Sequence, residues 1–213
     1  MHKNTLFILF LGFIVNLNYA QESPDLTEKR FEQKIDTIVE QLVFNYQYDQ
    51  ALREYLLYKT FDKSVTDSIE NLKSETDRVN YIISTNFKSD LARSIWEDFI
   101  HPSDDKFTEN LMDLCNSVGY PSLNRIKKYY KRKLPDEFNP VIFFGHSREK
   151  YWDAVRVIAK REFENGHMGK CDFGYVMWHT SGRKENAYLD EGGIKYIANS
   201  KGRVITLSLC EDE

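Results

Sequence analysis

The stretch Asn139–Gly166, NPVIFFGHSREKYWDAVRVIAKREFENG, constrains the fold more than any other. Its apolar run Val141–Phe144 meets a Gly145-His146 pair and then a segment with one apolar stripe: Tyr151, Val155, Ile158, Ala159 and Phe163. Asn139 before Pro140 predicts a helix start, a capping side chain followed by a proline where no N–H is needed. The short helix is expected to end at Gly145, Ser147 to cap the next helix, and Asn165-Gly166 to end it. That leaves His146 at the junction, where the carbonyl end of a helix favours a protonated imidazole. A carboxylate such as Asp49 beside it would hold it in one tautomer.

Upstream the chain reads as helix. Between Thr27 and Lys59, Ile35, Ile38, Val39, Leu42, Tyr46, Leu56 and Leu57 recur at helical spacing. Phe44, Tyr48 and Tyr55 form a second set, which predicts a helix covered on two faces. One or two helices follow over Phe61–Phe99, and His101-Pro102-Ser103 reads as a break. Phe107–Val118 is a further amphipathic helix stopped by Gly119 and Pro121, with Ser122 or Asn124 placed to cap the next.

After Gly166 the period changes. Phe173–Thr180 is rich in aromatic and β-forming residues and reads as strand. Gly193–Ala198 and Arg203–Leu209 flank Asn199-Ser200-Lys201-Gly202, which reads as a hairpin turn. The expected class is α+β, mainly α-helical, with a small C-terminal antiparallel sheet or hairpin over about residues 172–210.

The N-terminus points to export. Lys3 precedes the apolar run Leu6–Val15, which is too short for the ~20 residues of a bilayer span, and Asn18-Tyr19-Ala20 offers a cleavage site. Residues 1–20 are therefore expected to be a signal peptide, and 21–213 a single domain, periplasmic or secreted, with no membrane span after cleavage. The whole chain carries 29 basic and 33 acidic side chains, a net charge of −4, which argues against nucleic acid as a partner. Of three cysteines, Cys115 falls on an apolar stripe and reads as a buried thiol. Cys171 and Cys210 flank the C-terminal region and can pair in an exported chain, closing a loop of about 40 residues worth ~3–4 kcal/mol. Three free thiols are the alternative.

A few polar residues are out of place for a bland core. On a helical wheel Arg53 returns to the angle of Ile35, and Asp49 lies close to it, with Leu42 and Tyr46. An acid and a base thus sit on a stripe that elsewhere is apolar, where charge is costly unless paired. A structural i,i+4 ion pair is the competing explanation. The run Lys127, Lys128, Lys131, Arg132 and Lys133 reads as a solvated face, and Arg183 as a loop residue able to reach an anion. Ser147-Arg148-Glu149-Lys150 matches Ser-x-x-Lys, but no Ser-Asp-Asn element accompanies it. No Cys/His set has metal-ligand spacing, and no metal or other cofactor is expected.

The order of motifs resembles that of a bacterial family catalogued only as a domain of unknown function: Asp-Gln-x-x-Arg, Gly-Trp-Pro, Gln-His, Asp-Arg and a Tyr-Gly-Thr-Gln tail. Asp49-Gln50-Ala51-Leu52-Arg53 matches the first, Gly119-Tyr120-Pro121 the second with Tyr for Trp, and Gly145-His146 the third. Gly182-Arg183 corresponds to Asp-Arg with the acid lost, and Lys195-Tyr196-Ile197-Ala198 replaces the tail. The match spans most of residues 35–205. It implies no reaction, but it singles out Asp49, Arg53 and His146. The leading expectation is a binding or interaction domain whose polar pocket, lined by Asp49, Gln50, Arg53, His146 and Arg183, holds a small polar or anionic ligand. The alternatives are a hydrolase with His146 as general base and a structural protein without a site; whether the protein is an enzyme stays open.

Overall fold

The computed structural model describes residues 24–58, 63–85, 90–199 and 202–208. The expected signal peptide, Cys210, and Ser200-Lys201 of the expected turn lie outside the described residues. The fold is mainly helical with a small C-terminal antiparallel hairpin. No helix among the described residues is long and apolar enough to cross a membrane.

Helix α1, Pro24–Tyr58, is 35 residues long. Phe31, Ile35, Ile38, Val39 and Leu42 bury its inner face in the main core. Near its start Glu28 pairs with Arg125 at 2.7 Å, and the Arg125 guanidinium lies 4.0 Å over the Phe31 ring. The second covered face expected on α1 is absent at Phe44, which is 66% exposed. Phe44 instead stacks on Tyr48 one turn along, and Tyr48 meets the edge of Phe107.

Helices α2 (Lys63–Glu70), α3 (Glu75–Thr85) and α4 (Asp90–Ile95) follow. The chain does not break at Pro102. Helix α4 passes through a π-helical segment, Trp96–Ile100, directly into α5, His101–Val118. Pro102 falls in the first turn of α5, directly after the π-helical segment. Leu56, Ala92 and Ile100 form a second, smaller apolar cluster at the far end of α1.

Helices α6 (Leu123–Tyr129) and α7 (Val141–Gly145) are short. Asn139 acts as expected: its side chain accepts the Val141 N–H at 3.0 Å. Ser147 does not cap the next helix. Its hydroxyl donates back to the Phe144 carbonyl at 2.6 Å and closes α7, because a 3-10 turn, Glu149–Tyr151, intervenes before α8 (Trp152–Glu164).

The largest correction concerns Phe173–Thr180. It is not a strand but most of helix α9, Lys170–Thr180. Every residue from Cys171 to Thr180 except Phe173 is buried, since α9 packs against α7, α8 and α10 (Ala187–Gly192). A helix covered all round has no polar face and so shows no helical period. The hairpin forms as expected but is shorter: β1, Tyr196–Ala198, pairs antiparallel with β2, Val204–Leu207, with Tyr196 opposite Leu207. Cys115 is a buried free thiol.

Candidate functional site

Between the two apolar clusters α1 carries a polar layer. Asp49 and Arg53, one turn apart, face inward; Asp49 is 3% exposed. Arg53 Nε donates to Asp49 Oδ1 at 2.9 Å, and its NH2 group to Asp104 Oδ1, on α5, at 2.5 Å. His146, at the end of α7, places Nδ1 3.4 Å from Asp49 Oδ1. Gln50 donates to the other Asp49 oxygen at 2.9 Å. Carboxylates from two helices thus grip one guanidinium, with Gln50 and His146 beside Asp49 and Trp96 over the guanidinium at 5.5 Å. Trp96 is the first residue of the π-helical segment; such segments recur at functional sites.

The electrostatics divide the two carboxylates. Burial alone would raise Asp49, but His146 and Arg53 outweigh it and hold the carboxyl below its ordinary value. Burial pushes Asp104 up, Arg53 and His146 only partly offset this, and the nearby Asp49 charge adds to the rise. With a neutral imidazole the group carries one more carboxylate than cation. A proton on His146 balances it.

Asp49, Asp104 and His146 each offer a donor atom within 4.8 Å of the others, a set of two oxygens and a nitrogen that suits a divalent cation. Arg53 already bonds both carboxylates, so the positive charge of that set is supplied by the guanidinium.

Comparison with family models, curated proteins and solved structures finds no match to this chain. The site stands on its own geometry.

Among the described residues no hydrogen bond or ion pair joins Arg183 to this group. Arg183 is exposed, adopts a left-handed backbone with φ of 61°, and lies 5.4 Å over the Trp178 ring. The phenol of Tyr175 is pushed up by burial, while the charges of Arg183 and Arg53 both pull the other way. Gly145 makes room for this ring, since a β-carbon there would fall 2.5 Å from the Tyr175 hydroxyl.

The sequence reading missed two groups. Asp104 carries no local mark distinguishing it from Asp105, the next residue. His179 was hidden by the strand reading. It is 6% exposed, donates from Nε2 to the Ser147 carbonyl at 2.9 Å, and leaves Nδ1 without a partner. Burial, only partly opposed by that hydrogen bond, depresses its pKa to about 4, so it is neutral at pH 7.

Proposed function

We propose that the protein is an exported binding domain whose polar layer at Asp49, Gln50, Arg53, Asp104 and His146 holds a small polar ligand. The observation that carries this reading is the burial of two carboxylates, from helices distant in sequence, around one guanidinium with an imidazole alongside. Such groups cost stability to bury, and a purely structural role is met as well by apolar packing. Arg53 spends two N–H groups on the carboxylates and keeps others for a ligand. Arg53 faces two carboxylates, so the group suits a neutral polar ligand better than an anion. The resemblance in motif order, which selects Asp49, Arg53 and His146, supports the same location.

The test is ligand-induced thermal stabilisation across small neutral polar compounds, carboxylates, phosphates and amino acids. Asp49→Asn and His146→Gln are expected to abolish stabilisation while leaving the circular dichroism spectrum unchanged. If both variants simply unfold, or if no compound stabilises the wild type, the reading fails.

The approach of His146 to Asp49 favours one second reading, a hydrolase in which the carboxylate orients the imidazole as general base. Turnover of an ester, amide or phosphoester that is lost in His146→Gln would establish it. In an exported chain, a bridge between Cys171 and Cys210 belongs to the same proposal.

A further inference from the structure

A second group of ionisable side chains surrounds open space at the opposite end of α9 from His179. A cavity of about 280 Å³ lies between the start of α6, the Gly166–Gly169 loop and the first turn of α9. At ~30 Å³ each, it has room for roughly nine water molecules. It shares no residue with the polar layer around Arg53.

Behind one wall sits Glu162, 1% exposed. Its carboxylate accepts from the Tyr120 N–H and from Arg161 Nε, and His167 Nδ1 lies 2.8 Å from it. Burial would raise this carboxyl, but His167, the Tyr120 N–H and Arg161 outweigh it and hold it low. An ionised carboxylate only accepts, so Nδ1 carries the proton. The imidazole nitrogen left for the cavity is Nε2. Gly119, with φ of 79°, permits this arrangement, because a β-carbon there would overlap the His167 ring.

The arginine and the glutamate at the cavity are paired within the protein. Arg125 is paired with Glu28, and Glu162 with Arg161. Asp172 accepts from the Tyr120 hydroxyl at 3.1 Å and from the Asn139 amide at 3.4 Å. What remains for an occupant is hydrogen-bonding capacity at His167 Nε2 and at Ser122, whose side chain makes no capping bond, beside apolar Leu123 and Met168.

We propose that this cavity is a second binding site, and that it takes a small uncharged polyhydroxyl compound of monosaccharide or cyclitol size. An anionic occupant would meet the Asp172 carboxylate and an Arg125 already paired with Glu28, which disfavours it. A hydroxyl donates to His167 Nε2, and the C–H face of a ring lies against Leu123 and Met168.

The probes are D-glucose and myo-inositol, titrated into the full-length mature protein while the ring nitrogen signals of His167 are followed by NMR. At least one is expected to shift those signals saturably. Two variants separate ligand binding from support of the fold. Ser122→Phe fills the mouth without removing a cap. His167→Asn keeps an amide N–H near the Nδ1 position for Glu162 and removes Nε2. Both are expected to stay folded and, in isothermal titration calorimetry, which does not need the His167 ring, to bind the probe at least about tenfold more weakly, a loss of ~1.4 kcal/mol. The proposal is overturned if neither probe moves the His167 signals, or if Ser122→Phe binds as the wild type does. It is equally overturned if a folded His167→Asn keeps wild-type affinity; should that variant not fold, Ser122→Phe decides alone.

Discussion

His179 is buried neutral, with one ring nitrogen donating to a backbone carbonyl. Its folded-state pKa, about 4, lies below the ordinary 6.5, so between those values the unfolded chain binds a proton that the folded chain does not. Stability contributed by the neutral ring is complete above pH 6.5 and is lost as pH falls towards 4. The whole shift corresponds to about 3 kcal/mol. Urea denaturation is expected to show that loss in the wild type and a flatter profile from pH 6.5 to 4 in His179→Gln. Arg53 gives a second expectation at this scale. Arg53→Ala leaves two buried carboxylates without their cation and should destabilise the protein by roughly 3 kcal/mol. It also frees the Asp49, Asp104 and His146 donors, so manganese(II) should raise the melting temperature of the variant more than that of the wild type. Equal shifts would show that those atoms do not act as a ligand set.

Among the elements, α9 depends on the absence of side chains at two facing glycines. A β-carbon on Gly174 would lie 2.5 Å from the Tyr188 carbonyl and 2.9 Å from the Gly192 α-carbon, both backbone atoms of α10. Gly174→Ala should therefore cost about 1–3 kcal/mol, despite the better helix propensity of alanine, as read from the shift in denaturation midpoint. The same helix marks where sequence patterns stop being informative. The cores of α1, α5 and α8 are legible because each keeps a wet face, and the contrast between faces writes a period of 3.6 into the chain. Helix α9 has almost no wet face, and its aromatic residues then favour a strand reading. Asp49 and Arg53 are legible because they interrupt an apolar stripe. Asp104 is not, since its neighbours Asp105 and Lys106 are also polar and the inward turn is set by packing across the π-helical segment.

For the molecule as a whole, the proposed bridge between Cys171 and Cys210 can be read directly in a digest. Export predicts a peptide containing Cys171 joined to one containing Cys210 in a digest made without reductant, while Cys115 alkylates only after denaturation. Reduction should then lower stability by about 3–4 kcal/mol. Separate cysteine peptides would point instead to three thiols. The basic run of α6 and the following segment is settled by its neighbours: Lys128 meets Glu28, and Arg132 meets Asp36 and Glu40, so much of its charge is directed at α1.

One helix therefore carries both a fastening and a working part. Glu28, gripped by Arg125, and Asp49, beside His146, stand 21 positions apart on α1, about 32 Å at 1.5 Å per residue. Over such a lever, one degree of slack at the fastening moves the Asp49 carboxylate by roughly half an ångström. That is enough to turn a hydrogen bond into a mere approach, so the packing of Phe31, Ile35, Ile38, Val39 and Leu42 between the two is what keeps Asp49 in register with His146.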